Sequence, residues 1–117
     1  MAEKEDVLIK YYDFVLYIIP QLEKFPRKQK FLLADKIEIL VLDIHMDLVT
    51  AYYSPKNSKM DKILKINLEL EKLRFLIRLS HDLKYFTHER YGVISGKVEE
   101  IGKILGGWKK KLNENAK

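Results

Sequence analysis

The chain contains no cysteine. That removes structural disulfides and thiolate metal sites, and it allows a cytoplasmic home without requiring one. Proline (3 residues) and glycine (5 residues) are scarce among 117 positions, which argues against a loop-rich fold. Long apolar runs are missing as well. The one near the N-terminus is interrupted by Asp13, and none approaches the roughly 20 residues a membrane span needs. Nothing resembles a secretory signal, so no membrane association is expected. Catalytic signatures are equally scarce: there is no HExxH, no phosphate loop and no repeated ExxH. His45 and Asp47 lie two apart on a helix and point in different directions. His81 and His88, seven apart, can share a face, but no third ligand or paired base stands beside them. The expectation is a protein that is not an enzyme, with no metal site and no cofactor.

Apolar residues make up 47% of the chain and charged residues 33%, enough to bury a core. The length suits a single domain, residues 1–117. The net charge of +5 is unevenly spread. Residues 1–58 carry 8 Lys and Arg against 9 Asp and Glu, whereas residues 59–117 carry 14 against 8. A basic half suits an anionic partner such as nucleic acid, or simply solubilises the protein.

Apolar residues recur at three and four positions in four segments, the spacing that lines one face of a helix. The predicted helices cover about residues 5–25, 28–53, 59–86 and 89–112. Pro20 falls inside the first and should kink it or split off its last turn. Phe25-Pro26-Arg27 marks a break, and Ser54 to Lys59 is the clearest connector, with Ser58 and Asp61 placed to cap the third helix. The second helix carries a stripe of Leu33, Ile37, Leu40, Ile44, Leu48 and Ala51. Ile39, Val41 and Leu42 add apolar surface, so its middle should be buried nearly all round. Short joins between four helices predict an all-α, antiparallel, up-down-up-down four-helix bundle.

On a wheel of about 100° per residue the third helix shows two apolar arcs. Ile66, Leu70, Leu73 and Ile77 form one; Leu64, Leu68, Phe75, Leu79 and Phe86 form the other. A bundle subunit needs one broad stripe per helix. The second arc therefore predicts either a homo-oligomer interface or unusually complete coverage by neighbouring helices. Between the arcs runs a strip with Glu71, Arg74, Arg78 and His81. Arg74 and Arg78 can pair with Glu71 and Asp82 at helical spacing, or offer forked donors to phosphates. Lys24, Arg27, Lys28 and Lys30 cluster at the first break, with Lys36 two turns on, where free backbone N–H groups and cations favour phosphate. The three lysines after Trp108 complement a helix C-terminus. All five glycines lie between positions 92 and 107, at a cost of roughly 1 kcal/mol each in a helix. The regular apolar period through Leu112 predicts a continuous helix against which another backbone packs closely.

Three segments, YDFVLYIIPQLEKFPRKQKFLLADKIE, LEKLRFLIRLSHDLKYF and VEEIGKILGGWKKKL, resemble the accessory variability determinant proteins of diversity-generating retroelements. Those belong to a wider four-helix bundle family whose other branch is encoded by intervening sequences of bacterial 23S ribosomal RNA genes. The resemblance runs from about Tyr11 to Leu112. It implies a ring-like, pentameric homo-oligomer with a basic, funnel-shaped surface. It also implies that RNA and/or DNA and the retroelement's reverse transcriptase are partners during mutagenic retrohoming. Carried onto this chain, the basic surface falls on Arg74, Arg78 and the Lys24–Lys36 cluster. The family's FPR is commonly followed by another arginine; KQK here keeps the charge and loses the bidentate fork. The rival is a bundle protein of the ribosomal RNA branch, or a protein–protein adaptor with no retroelement role.

Overall fold

The computed structural model describes residues 2–115, with side chains over 7–114. Four helices pack around one core: α1 (Ala2–Leu22), α2, α3 (Lys56–Asp82) and α4 (His88–Asn115). α2 consists of three consecutive pieces, a single turn Arg27–Gln29, a π-helical stretch Lys30–Ala34 and a regular helix Asp35–Tyr53. No strand occurs among the described residues. Each helix packs on the next, α1 closes the circuit against α4, and the bundle measures 50 × 23 × 20 Å.

The core follows the apolar period. Val7, Tyr11, Phe14 and Ile18 enter from α1, and Ile37, Val41, Ile44 and Leu48 from α2. Ile63, Ile66, Leu70, Leu73 and Ile77 enter from α3, and Ile94, Val98, Ile101, Leu105 and Trp108 from α4. Tyr11 is fully buried, and its hydroxyl donates to the Val41 carbonyl at 2.6 Å. That bond ties α1 to α2 and satisfies a phenol that would otherwise be costly to bury. Burial, together with nearby Glu69, pushes the Tyr11 hydroxyl far above its ordinary value. It therefore stays protonated and donating.

Three expectations about local structure need correction. α2 does not use Leu33 and Leu40 in its core stripe; Ala34 and Val41 are buried instead, and the two leucines sit half-buried on the flank. Ala34 and Val41 fall in register with Ile37, Ile44, Leu48 and Ala51 at steps of three and four, the spacing of a regular helix, and Leu33 and Leu40 each lie one position off it. Nor is the middle of α2 covered all round. Ile39 and Leu42 are exposed, as no further element of the protomer reaches that side. Pro20 lies within α1, which ends at Leu22 rather than near Phe25.

The connectors explain the remaining boundaries. α3 begins at Lys56 because Pro55 presets φ at −58° ahead of the first turn. Ser58 is therefore already inside the helix, and its hydroxyl donates back to the Pro55 carbonyl at 3.1 Å rather than capping. α3 ends at Asp82, well before Phe86. The Lys84 N–H bonds the His81 carbonyl at 2.9 Å and the Tyr85 N–H bonds the Ser80 carbonyl at 2.8 Å. This double closure places Lys84 in the left-handed region, φ 69°. Phe86 thus leaves the outer arc of α3 and is buried, its ring 5.1 Å from that of Phe25. Thr87 caps α4, its hydroxyl accepting from the Arg90 N–H at 3.1 Å. A left-handed lysine costs roughly 1 kcal/mol that glycine does not pay. Lys84→Gly should therefore stabilise the protein by about 1 kcal/mol, measured by urea unfolding.

α4 runs unbroken through Gly106 and Gly107, as the apolar period predicts. The close backbone packing expected at its glycines is absent within the protomer. A Cβ added at Gly92, Gly96 or Gly106 would meet nothing within 4 Å. At Gly102 it would meet the Arg74 guanidinium, 2.7 Å from Nη2. The group that comes closest to a glycine of α4 is the end of an arginine side chain from α3.

Candidate nucleic-acid interface

Arg74 and Arg78 sit one turn apart on the side of α3 that faces α4. They share a groove of about 380 Å³ with Glu71, Tyr91, Ser95 and Glu99. Their environments differ. Arg74 is 39% exposed, pairs with Glu71 and lays its guanidinium across Gly102. Arg78 is 72% exposed, and its Nε lies 3.8 Å from Asp82 Oδ2. An exposed pair at that distance contributes little energy, so the Arg78 fork is available to an incoming anion. Arg74 would have to give up Glu71 to bind one.

The first basic cluster lies at the end of the bundle where α1 hands over to α2 and α3 to α4. Ring contacts join the two connectors: Phe25 lies 5.3 Å from Tyr85 and 5.1 Å from Phe86. Lys24, Arg27 and Lys28 are exposed there. Lys30 is half-buried and paired with Glu23 at 3.3 Å. Lys84, on the neighbouring connector, adds a cation that helical spacing alone does not reveal. Lys36 departs from this group. It lines a different surface, an open apolar groove of about 1230 Å³ between α2 and α3.

That groove is walled by Phe31, Leu32 and Ile39 from α2 and by Phe75, Leu76 and Leu79 from α3. Phe31 and Phe75 are each 73% exposed, and Leu64 and Leu68 extend the apolar band along α3. The second arc of α3 is therefore left uncovered by the protomer's own helices. α2 adds Leu42, Met46, Val49 and Tyr53 to the same side. Helical spacing on the outer face of α2 carries this signal, but the apolar residues there read in sequence as extra core.

A family model described as bAvd-like matches residues 7–112. The chain belongs to the bAvd-like family, the bacterial accessory variability determinants. No curated protein matches it. The matched span contains both arginines, the basic end and the apolar band. No helix is long and apolar enough to cross a membrane among the described residues.

Between α2 and α3 lies a polar feature that sequence reading missed. Glu69 on α3 meets Asp47 and Asp43 on α2, with Lys65 at 3.3 Å from Asp47 and Tyr11 behind. Burial, then a hydrogen bond shared with Asp47, then the charges of Asp47 and Asp43 push the Glu69 carboxyl up to about 7; Lys65 opposes the rise. The fold thus holds a proton that the unfolded chain releases near the ordinary value of 4.5. Stability from this group is complete below that value and is lost as pH rises through about 7. Glu69→Gln keeps a donor for Asp47 and removes the titration. It should flatten the dependence of Tm on pH across that window, read by thermal unfolding in a buffer series.

Proposed function

We propose that this chain is a non-enzymatic accessory protein of a diversity-generating retroelement, working in the cytoplasm. It assembles through the apolar outer side of α2 and α3, with Leu64, Leu68, Phe75 and Leu79 in the interface. It holds RNA or its DNA copy by phosphates while engaging the reverse transcriptase. The observation that carries the reading is membership of the bAvd-like family over residues 7–112. Two physical features support it. An apolar band this broad favours a protein partner over water, and a pentameric ring, which the family likeness implies, would bury it repeatedly. The net charge of +5 and the exposed cations at one end suit an anionic polymer.

Nucleic acid is held by Arg78, Arg74, Lys24, Arg27 and Lys28, with Lys30 at the margin; Lys36, which lines the apolar groove of the assembly face, is left out of this surface. Bonds of this kind go to phosphate oxygens and carry no sequence preference. Arg74→Ala/Arg78→Ala should weaken binding about equally across RNA sequences and make log K less steep against log salt, by about one unit for each phosphate no longer neutralised. The measurement is light scattering coupled to size exclusion, with and without a short structured RNA at two salt concentrations. A wild-type mass of five chains, with RNA co-eluting at low salt but not with the double variant, supports the proposal. Equal RNA binding by a folded, assembled double variant removes the two arginines from the interface. A single-chain mass with no RNA bound returns the protein to the adaptor reading.

A further inference from the structure

Two histidines from different helices face each other at the corner where α3 turns into α4. His81 is in the last turn of α3, and His88 opens α4. The Schellman-type closure at Lys84 and the Thr87 cap fold the connector back, so the two imidazoles meet across it. His81 Nε2 lies 3.3 Å from His88 Nδ1. The His81 ring is held on two sides. It stacks on Tyr91 with ring centres 4.1 Å apart and planes 21° apart, and its Nδ1 lies 3.3 Å from Asp82 Oδ1. A carboxylate can only accept, so Nδ1 carries the hydrogen. In the neutral ring this leaves the Nε2 lone pair free to accept, on the edge of the ring that approaches His88.

We propose that His81 and His88 form a binding site for a divalent transition metal, with zinc the best fit. Zinc–imidazole bonds of 2.0–2.1 Å at a tetrahedral angle place two ligand nitrogens about 3.3 Å apart. The observed separation equals that distance, and it is longer than an ordinary hydrogen bond of about 3 Å. Asp82 supplies the carboxylate that, in zinc sites, orients a ligating histidine through its other nitrogen. His81 is 26% exposed and His88 lies on the surface, so an ion can reach both. No group of three or more histidine, aspartate or glutamate residues able to hold a metal occurs among the described residues. The chain thus provides two ligands, and water fills the remaining positions. Binding would be weak, and it would staple the end of α3 to the start of α4 beside Arg78, which shares Asp82.

The test uses tag-free, chelator-treated full-length protein, titrated with zinc chloride by isothermal calorimetry and followed by thermal unfolding. Wild type should bind one zinc per chain and gain a few degrees in Tm. His88→Gln should lose both effects; His88 is exposed, so this variant keeps the fold. Asp82→Asn should bind at least tenfold more weakly. Magnesium chloride, whose ion prefers oxygen ligands, should give no response. No zinc binding by wild type, or unchanged binding by His88→Gln, overturns the site. These readouts do not depend on nucleic acid or on assembly, so their outcome is separate from that of the proposed function.

Discussion

If the proposed assembly forms through the α2–α3 face, Phe75→Asp should reduce it to single chains without unfolding them. Phe75 is 73% exposed in the protomer and lies on the side of α3 opposite Leu70, Leu73 and Ile77, so the core does not register the change. In an interface the same position matters greatly. Burying a large apolar side chain is worth roughly 1.5–3 kcal/mol, and an aspartate there would in addition be desolvated without a partner. A penalty of about 3 kcal/mol at each junction weakens association at least ~100-fold. A closed ring repeats that penalty at every junction. Sedimentation should show a single-chain mass with an unchanged helical circular dichroism spectrum. Val93→Asp provides the comparison. It changes an exposed apolar residue on α4, away from the α2–α3 band, and should leave the wild-type mass intact. If Phe75→Asp keeps the wild-type mass, assembly does not use this face. If wild type is itself a single chain, the outer arc serves some other partner.

The bundle was legible because four core stripes obey the helical period, and proline, glycine and short polar connectors punctuate them. The second arc of α3 was legible for the same reason, except for Phe86. Whether Phe86 stays on that arc depends on the closure at Lys84, and nothing in its own spacing reports that a lysine will adopt a conformation glycine prefers. On α2 the apolar total misled. Ile39 and Leu42 read as extra core because the sequence does not say how many elements will be present to cover them. The choice of Ala34 over Leu33 was hidden too, since both are acceptable core residues three or four positions from Ile37. Of the candidate residues, Arg74 and Arg78 share one side of α3, as helical spacing predicts, and line one groove. Their difference was not legible, because it rests on Gly102, twenty-eight positions away in the chain. The pairing of Glu69 with Asp47 and the approach of His81 to His88 are likewise products of tertiary packing.

Trp108→Ala should cost about 3–5 kcal/mol, the largest loss of stability expected from one substitution at this end of the bundle. Trp108 is 2% exposed and closes the core where α2 gives way to α3. Its neighbour there is Lys59, a buried lysine at the end of the connector that the sequence marks from Ser54 to Lys59. The Lys59 ammonium donates to the Ala51 carbonyl at 2.9 Å and to the Tyr52 carbonyl at 2.6 Å, and it sits 5.6 Å from the centre of the Trp108 ring. It thus gives the Tyr52 carbonyl a donor and adds a second to Ala51, whose carbonyl also accepts from the Ser54 N–H at 3.3 Å, at the negative end of that helix, and it adds a cation–π contact. The indole N–H meets no acceptor among the described residues, so Trp108 contributes area and its π face rather than a hydrogen bond. Trp108→Phe should therefore be mild, about 1 kcal/mol. Lys59→Met keeps the stem and withdraws the donor from both carbonyls, for a loss of about 1–3 kcal/mol. Because the two side chains touch, the double variant Lys59→Met/Trp108→Ala should lose less than the sum, with a coupling of about 0.5–2 kcal/mol. Urea unfolding at one fixed chain concentration measures all four, since the proposed assembly would raise apparent stability by mass action. Strict additivity would mean that Lys59 serves only the end of α2. A Trp108→Phe variant as damaged as Trp108→Ala would mean that the indole nitrogen has an acceptor after all, and that the corner is built on a hydrogen bond rather than on packing under a cation.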